Sequence, residues 1–251
     1  MIILLFFFGV WYASLFCQTF FHHRYASHGA FEMSPGWEKV FYVLSFITQG
    51  SSYLSPRAYA VMHRMHHAYT DTEKDPHSPS YSKNVMDMML KTYVIYAGIS
   101  NRTTVIEPKF TKNVPDWAAF DKFAGSMWPR LFWAACYFTF FWFFVTSPWQ
   151  WALLPILLLM APVHGAIINW YAHKYGYENH DMANTSKNLL PIDILMLGES
   201  YHNNHHKNPS SINFGKKWHE IDPIYPFILL FGKLQIIQLP RKGVVREVTE
   251  W

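Results

Sequence analysis

Met1 to Phe21, MIILLFFFGVWYASLFCQTFF, carries no charged side chain and runs directly into His22-His23. A helix of that length covers roughly 30 Å of hydrocarbon, so the stretch predicts a membrane span. It has no basic leader and no small-residue cleavage site, which makes a signal peptide the weaker alternative. A second apolar run, 128–146, holds only Arg130, near one end where a long side chain can reach the interface. Ser147-Pro148-Trp149-Gln150 then reads as a turn, and 151–170 returns as a third span despite Pro155 and Pro162. Two shorter apolar segments, 40–48 and 225–237, are too short or too interrupted to span and predict helices lying in the interface.

The rest of the chain agrees with this frame. Its 251 residues are 51% hydrophobic and 19% aromatic against 15% charged, which excludes a disordered chain, a fibrous repeat and a small disulfide-stapled scaffold. Cys17 and Cys136 lie far apart in apolar stretches and read as buried hydrophobes. No repeat or glycine-serine linker divides the chain, so 1–251 is expected to form one domain. Of the 21 Lys and Arg, 11 fall between His22 and Met127 and 9 follow Trp170, with none in the 147–150 turn. The positive-inside rule then places 22–127 and 171–251 in the cytoplasm. The expected fold is an all-α integral membrane bundle of about three spans under a cytoplasmic helical cap.

The 14 histidines are far more than a surface needs, and they are grouped. They read His23-Arg-Tyr-Ala-Ser-His28, His63-Arg-Met-His66-His67, a lone His173, and His202-Asn-Asn-His205-His206. Positions i, i+3 and i+4 share one helical face, so each H-x-x-H-H triple is expected to aim three imidazoles at one point. His23 and His28, about 140° apart on an ideal wheel, cannot both face one ion from an α-helix. All the groups fall on one predicted membrane side. Nine imidazoles exceed what a tetrahedral zinc site can use, and the count suits two ions. All-nitrogen ligation is compatible with zinc, copper, iron or nickel, of which a di-iron centre also offers a chemistry.

These boxes, in this order and between apolar stretches, resemble the membrane fatty acyl desaturase family, with its H-x4-H, H-x2-H-H and H-x2-H-H pattern. The flanks are similar too: Asp75-Pro-His-Ser-Pro79 follows the second box, Gly198-Glu-Ser-Tyr201 precedes the third, and Asn169-Trp-Tyr-Ala-His173 matches a further family element. The resemblance implies His23, His28, His63, His66, His67, His173, His202, His205 and His206 as iron ligands, with Asn169 acting through water. It also implies an oxygen-dependent desaturase that places a double bond in an acyl chain carried on coenzyme A, acyl carrier protein or phospholipid. Two iron ions are its cofactor and dioxygen its co-substrate. A hydroxylase or ketolase on the same scaffold is the alternative, and a non-enzymatic metal-storage protein a further rival.

With no G-x-G-x-x-G after a strand and no fused haem domain, electrons must come from a separate ferredoxin-like or cytochrome donor. Nothing points to nucleic acid, and a bacterial cytoplasmic membrane is the expected location. Family members usually have two spans before the first box. Only one precedes His23, so the chain is naturally short or an upstream segment is missing.

The remaining polar residues divide into several expectations. Asp71, Asp75 and Glu199 could hold the outer nitrogens of the ligands, or serve as helix caps or solvated charges. Tyr59 could line an acyl tunnel or simply pack. His164, about 180° from His173 on the wheel, is expected to point elsewhere and be structural. His22, His77, His180 and His219 match no ligand position and default to outer or surface roles. Asn184, Ser186 and Asn188 precede the last box without an assigned role.

Overall fold

The computed structural model describes residues 1–240, so the part of the predicted cap from 241 to 251 lies outside the described residues. Helix α1, Ile2–Cys17, follows from an uninterrupted run of Leu, Ile and Phe, and it continues as a π-helix through Gln18–Ser27. There the backbone bonds skip five residues, and the His28 N–H donates to the His23 carbonyl at 3.2 Å. After strand β1, Glu32–Met33, the Ser34 side chain caps α2, Pro35–Gln49. Helix α2 runs back along α1. Phe41 meets Phe20 and Phe21 with ring centroids 4.9 and 5.7 Å apart, while Ile47 and Thr48 share a groove with Gly9, Val10 and Ala13.

Gly50 turns the chain out of α2 with φ +54°, and a Cβ there would lie 2.1 Å from the Tyr137 hydroxyl, so only glycine fits. Helix α3, Pro56–Tyr69, opens on a Ser55 cap and packs on the π-helical segment. Helix α4, Val85–Ser100, is capped by Asn84. The short α5, Pro108–Thr111, and α6, Ala118–Ala124, lead into α7, Met127–Phe144. Helix α8, Leu153–Leu158, is followed by α9, Met160–Ala166, which ends in a π-helical turn, Ile167–Tyr171. Helices α10, His202–Lys207, and α11, Tyr225–Lys233, complete the helical set, and β2, Ile237–Gln238, pairs antiparallel with β1.

Of the about three spans expected, one passes as an unbroken helix and a second only if a bent helix pair counts as one span. Among the described residues one unbroken helix, Ile2–Ser27, is long and apolar enough to cross a membrane. The second predicted span is α7, whose first turn holds Pro129 and Arg130. Arg130 does not reach out to an interface. It donates to the Ser51 and Tyr53 carbonyls at 2.8 Å each and closes the turn between α2 and α3.

The third predicted span is broken, with Pro148–Leu158 and Met160–Tyr171 meeting at 79°. Pro162 is the cause: it has no N–H for the Leu158 carbonyl four residues earlier, and its ring crowds that carbonyl. The Ser51 hydroxyl takes the vacated acceptor instead, 3.1 Å away.

Two apolar clusters position what lies between them. One joins Ile3, Phe7, Trp11 and Leu15 of α1 to Tyr137 and Phe141 of α7 and to Leu154 and Leu157. The other wraps Phe20, Phe21 and Phe41 with Ile224 and Ile228, so that α11 also packs against α1.

Candidate metal centre

The π-helical winding decides the first histidine pair. Bonds that skip five residues bring residues five apart one above the other, and the His23 and His28 rings stand 5.1 Å apart. The expectation that they cannot face one point assumed α-helical winding.

The H-x-x-H-H triples also behave differently from expectation, because each one splits. His63 and His67 join His23, His28 and His205, whereas His66 joins His173, His202 and His206. Residues i and i+4 lie about 40° apart on a helix and i+3 about 100° from i+4, so a helix between two points gives a pair to one and a single ring to the other. Helices α3 and α10 make this exchange reciprocally.

In the first group the Nε2 atoms form a chain of close approaches: His23 to His205 at 3.0 Å, His205 to His67 at 2.8 Å, His67 to His63 at 3.0 Å and His63 to His28 at 2.8 Å. In the second, His66 meets His206 at 3.2 Å, His206 meets His202 at 3.0 Å and His202 meets His173 at 2.9 Å. Hydrogen bonds cannot account for all of these, because a neutral imidazole has one N–H and each inner nitrogen has two such neighbours. A cation takes every lone pair at once. Two nitrogens bound at right angles at about 2.1 Å stand about 3.0 Å apart, so the spacing fits metal ligation.

The outer nitrogens of three rings are held by side chains, one of them from a distant part of the chain. His66 Nδ1 is 2.9 Å from Asp75 Oδ1, and His23 Nδ1 is 2.5 Å from Glu199 Oε2. His173 Nδ1 meets the Thr185 hydroxyl at 3.1 Å, which in turn donates to Asp71 Oδ1 at 3.0 Å. Each arrangement puts the proton on Nδ1 and turns the Nε2 lone pair inward. Burial, then the neighbouring imidazoles, push His63, His66, His67, His202, His205 and His206 well below the ordinary histidine value, which keeps them neutral and able to ligate. Burial would raise the Glu199 carboxyl, but His23 and Arg24 beside it hold it low.

Several further residues build this site, among them Asn184, Ser186 and Asn188, whose role the sequence left open. Asn188 Oδ1 accepts the Asn203 and Asn204 backbone N–H groups at 3.1 and 3.2 Å, capping α10 from outside. Asp193 binds the N–H groups of Met196, Gly198 and Ser200, shaping the loop that carries Glu199. Arg24 is fully buried, 2.7 Å from Asp222 Oδ2 and stacked 4.0 Å over Phe214, whose ring lies 4.7 Å from that of His205. Ser186 gives its carbonyl to Asn203, and Asn184 caps Ser186.

Of the other histidines, His164 stays out of both groups, with its Nδ1 3.3 Å from Gln18 Oε1 and its ring edge-on to Trp11 at 4.3 Å. The His22 ring nitrogens lie 3.2 Å from the Cys17 carbonyl and 3.0 Å from the Leu54 carbonyl, and its single N–H donates to one of them. His77 is not at the surface: it is buried, with its ring 4.3 Å from that of His66. A cavity of about 40 Å³ touches both groups, lined by His23, His63, His77 and His202 with Asn169 and, against expectation, His164.

Against known proteins, the profile of the family described as fatty acid desaturase matches residues 1–231. The chain belongs to the fatty acid desaturase family. Relatives of this desaturase include the Delta-9 desaturase-like 4 protein of Arabidopsis thaliana, 30% identical over 237 residues that cover 88% of this chain and 72% of the relative. The Delta-9 desaturase-like 3 protein of the same plant is 28% identical over 244 residues, covering 92% and 75%. The sn-1 stearoyl-lipid 9-desaturase of Synechocystis sp. is 27% identical over 228 residues, covering 87% and 66%. The desaturase is thus an oxidoreductase of lipid metabolism that acts on a fatty acyl substrate.

Proposed function

We propose that this desaturase holds two iron ions, one in each imidazole group, and uses dioxygen to place a double bond in an acyl chain. The observation that carries this reading is the sorting of nine Nε2 atoms into a set of five and a set of four at ligand spacing. The relatives named 9-desaturases favour carbon 9 as the position. His23, His28, His63, His67 and His205 hold one ion, and His66, His173, His202 and His206 the other, with Asn169 acting through water. Bound there, iron supplies the reductive activation of dioxygen that an unactivated methylene requires, since such a carbon offers neither acid nor leaving group.

The protein's own residues supply position and shelter. Asp75, Glu199 and the Asp71–Thr185 pair fix the ring tautomers. Leu15, Met62, Ile168 and Met196 line the apolar side of the cavity. Its present size excludes an acyl chain, and the two methionines, flexible and unbranched, are the walls that give way to one.

Dioxygen takes four electrons to become two waters: two leave the substrate with the two hydrogens, and two come from an external ferredoxin-like or cytochrome donor. The same reading makes 1–251 one domain, with the site facing the cytoplasm of a bacterial membrane and the acyl carrier being coenzyme A, acyl carrier protein or phospholipid.

The test is expression in a host of known lipid profile, with iron assay and double-bond mapping. The reading requires about two irons per chain and a new 9-unsaturated product; His205→Ala should lose the product and hold fewer than two irons. Hydroxylated product or iron-free active protein would refute it.

A further inference from the structure

His77 is 3% exposed, and neither ring nitrogen has a hydrogen-bond partner in the protein. A buried polar group without a partner costs about 1–3 kcal/mol, so a nitrogen left bare in a folded site points to a ligand from outside the chain. The His77 backbone N–H is tied to Asp75 Oδ1 at 3.0 Å, and the ring face lies against His66 at 4.3 Å and 35°.

His66, Asp75 and His77 lie close enough together to suggest a third metal site. The bonding excludes it, because His66 Nδ1 and Asp75 Oδ1 already satisfy each other at 2.9 Å and His66 Nε2 faces His206. What His77 does face is the cavity of about 40 Å³ shared with His23, His63 and His202. A space of that size admits one or two water-sized molecules, each needing two to four polar partners. His164 lines the same cavity with its Nε2 also bare.

Resting on the two-iron reading above, we propose that His77 is a positioning residue for a water-sized ligand of the metal centre. One of its ring nitrogens hydrogen-bonds a small oxygen or nitrogen ligand lodged in this cavity, where rings from both imidazole groups converge. The chemical class is a water, or a compact anion that competes with it. The inner end of the cavity is therefore a small-molecule subsite, separate from the apolar side that meets the acyl chain.

Azide serves as the probe, titrated against oxidised, iron-loaded protein and read by its visible charge-transfer band, with iron content measured on the same samples. Wild type should bind azide with about two irons per chain. His77→Phe keeps the ring shape without the nitrogens and should keep the iron but bind azide about tenfold more weakly. His77→Gln, which restores a donor, should recover most of the affinity. Superimposable titrations for wild type and His77→Phe would overturn the proposal. So would loss of iron from His77→Phe, since His77 would then be a ligand. Wild-type protein that takes up no iron would instead overturn the two-iron reading, and with it the ligand site.

Discussion

Asp75 and His66 are nine residues apart and bonded through Oδ1 and Nδ1 at 2.9 Å, with both side chains fully buried. The other carboxylate oxygen accepts the Asp71 N–H at 3.0 Å, so the turn after α3 is folded around the carboxylate that holds this ring. Asp75→Asn keeps the shape and loses the charge. Outer carboxylates of this kind are typically worth 10–100-fold in metal affinity. Chelator competition should find one of two ions held about 10–100-fold more weakly, and two unchanged affinities would contradict the assignment.

Asn188 caps α10 without belonging to it, and its Nδ2 also donates to Asn204 at 3.1 Å. Asn188→Ala strips two N–H groups at the start of a six-residue helix that cannot sustain itself. The cost should be about 2 kcal/mol, a melting drop of about 4–8 °C in detergent. Scanning calorimetry checks it, and an unchanged transition would show that the cap is dispensable.

His164 and His173 are the discriminating pair on the bent segment. His164 bonds Gln18, whereas His173 points its Nε2 at His202 from 2.9 Å. His164→Gln should therefore retain both ions, and His173→Gln should lose one. Equal iron loss in the two variants would mean that the grouping of rings is wrong.

The cytoplasmic reading is checked by labelling. Gln150 is buried and accepts the Thr146 N–H, so Trp149, 55% exposed in the same turn, is the better reporter. Trp149→Cys should react with an impermeant thiol reagent in intact cells, and Lys112→Cys only after lysis. The opposite pattern would reverse the orientation.

Ser51 tests the origin of the bend. Ser51→Ala leaves the Leu158 carbonyl without the hydroxyl that replaces the missing Pro162 N–H. A loss of about 1–3 kcal/mol is expected in denaturant titration, and Pro162→Ala in the same background should recover part of it by restoring the donor.

The sequence by itself determined the family and the long first helix, because those depend on composition and on motifs within short segments, and the nine histidines were implied by the resemblance of those motifs to the family. The histidine boxes and their flanks were legible for the same reason. Tertiary structure decided how the rings divide. His66 parts from His63 and His67, and His205 from His202 and His206, only because α3 and α10 each lie between two convergence points, which no spacing within one helix can express. The π winding of 18–27 and the break at Leu159 were likewise outside the reach of an α-helical wheel: the first needs packing by α3, the second a hydroxyl from Ser51. Glu199 was a candidate from the sequence, but that it holds His23 rather than a ring of its own box, and that Thr185 holds His173 and Asn188 caps α10, came only with the tertiary structure. Hydrogen bonds between segments separated along the chain form only once burial has brought the segments together.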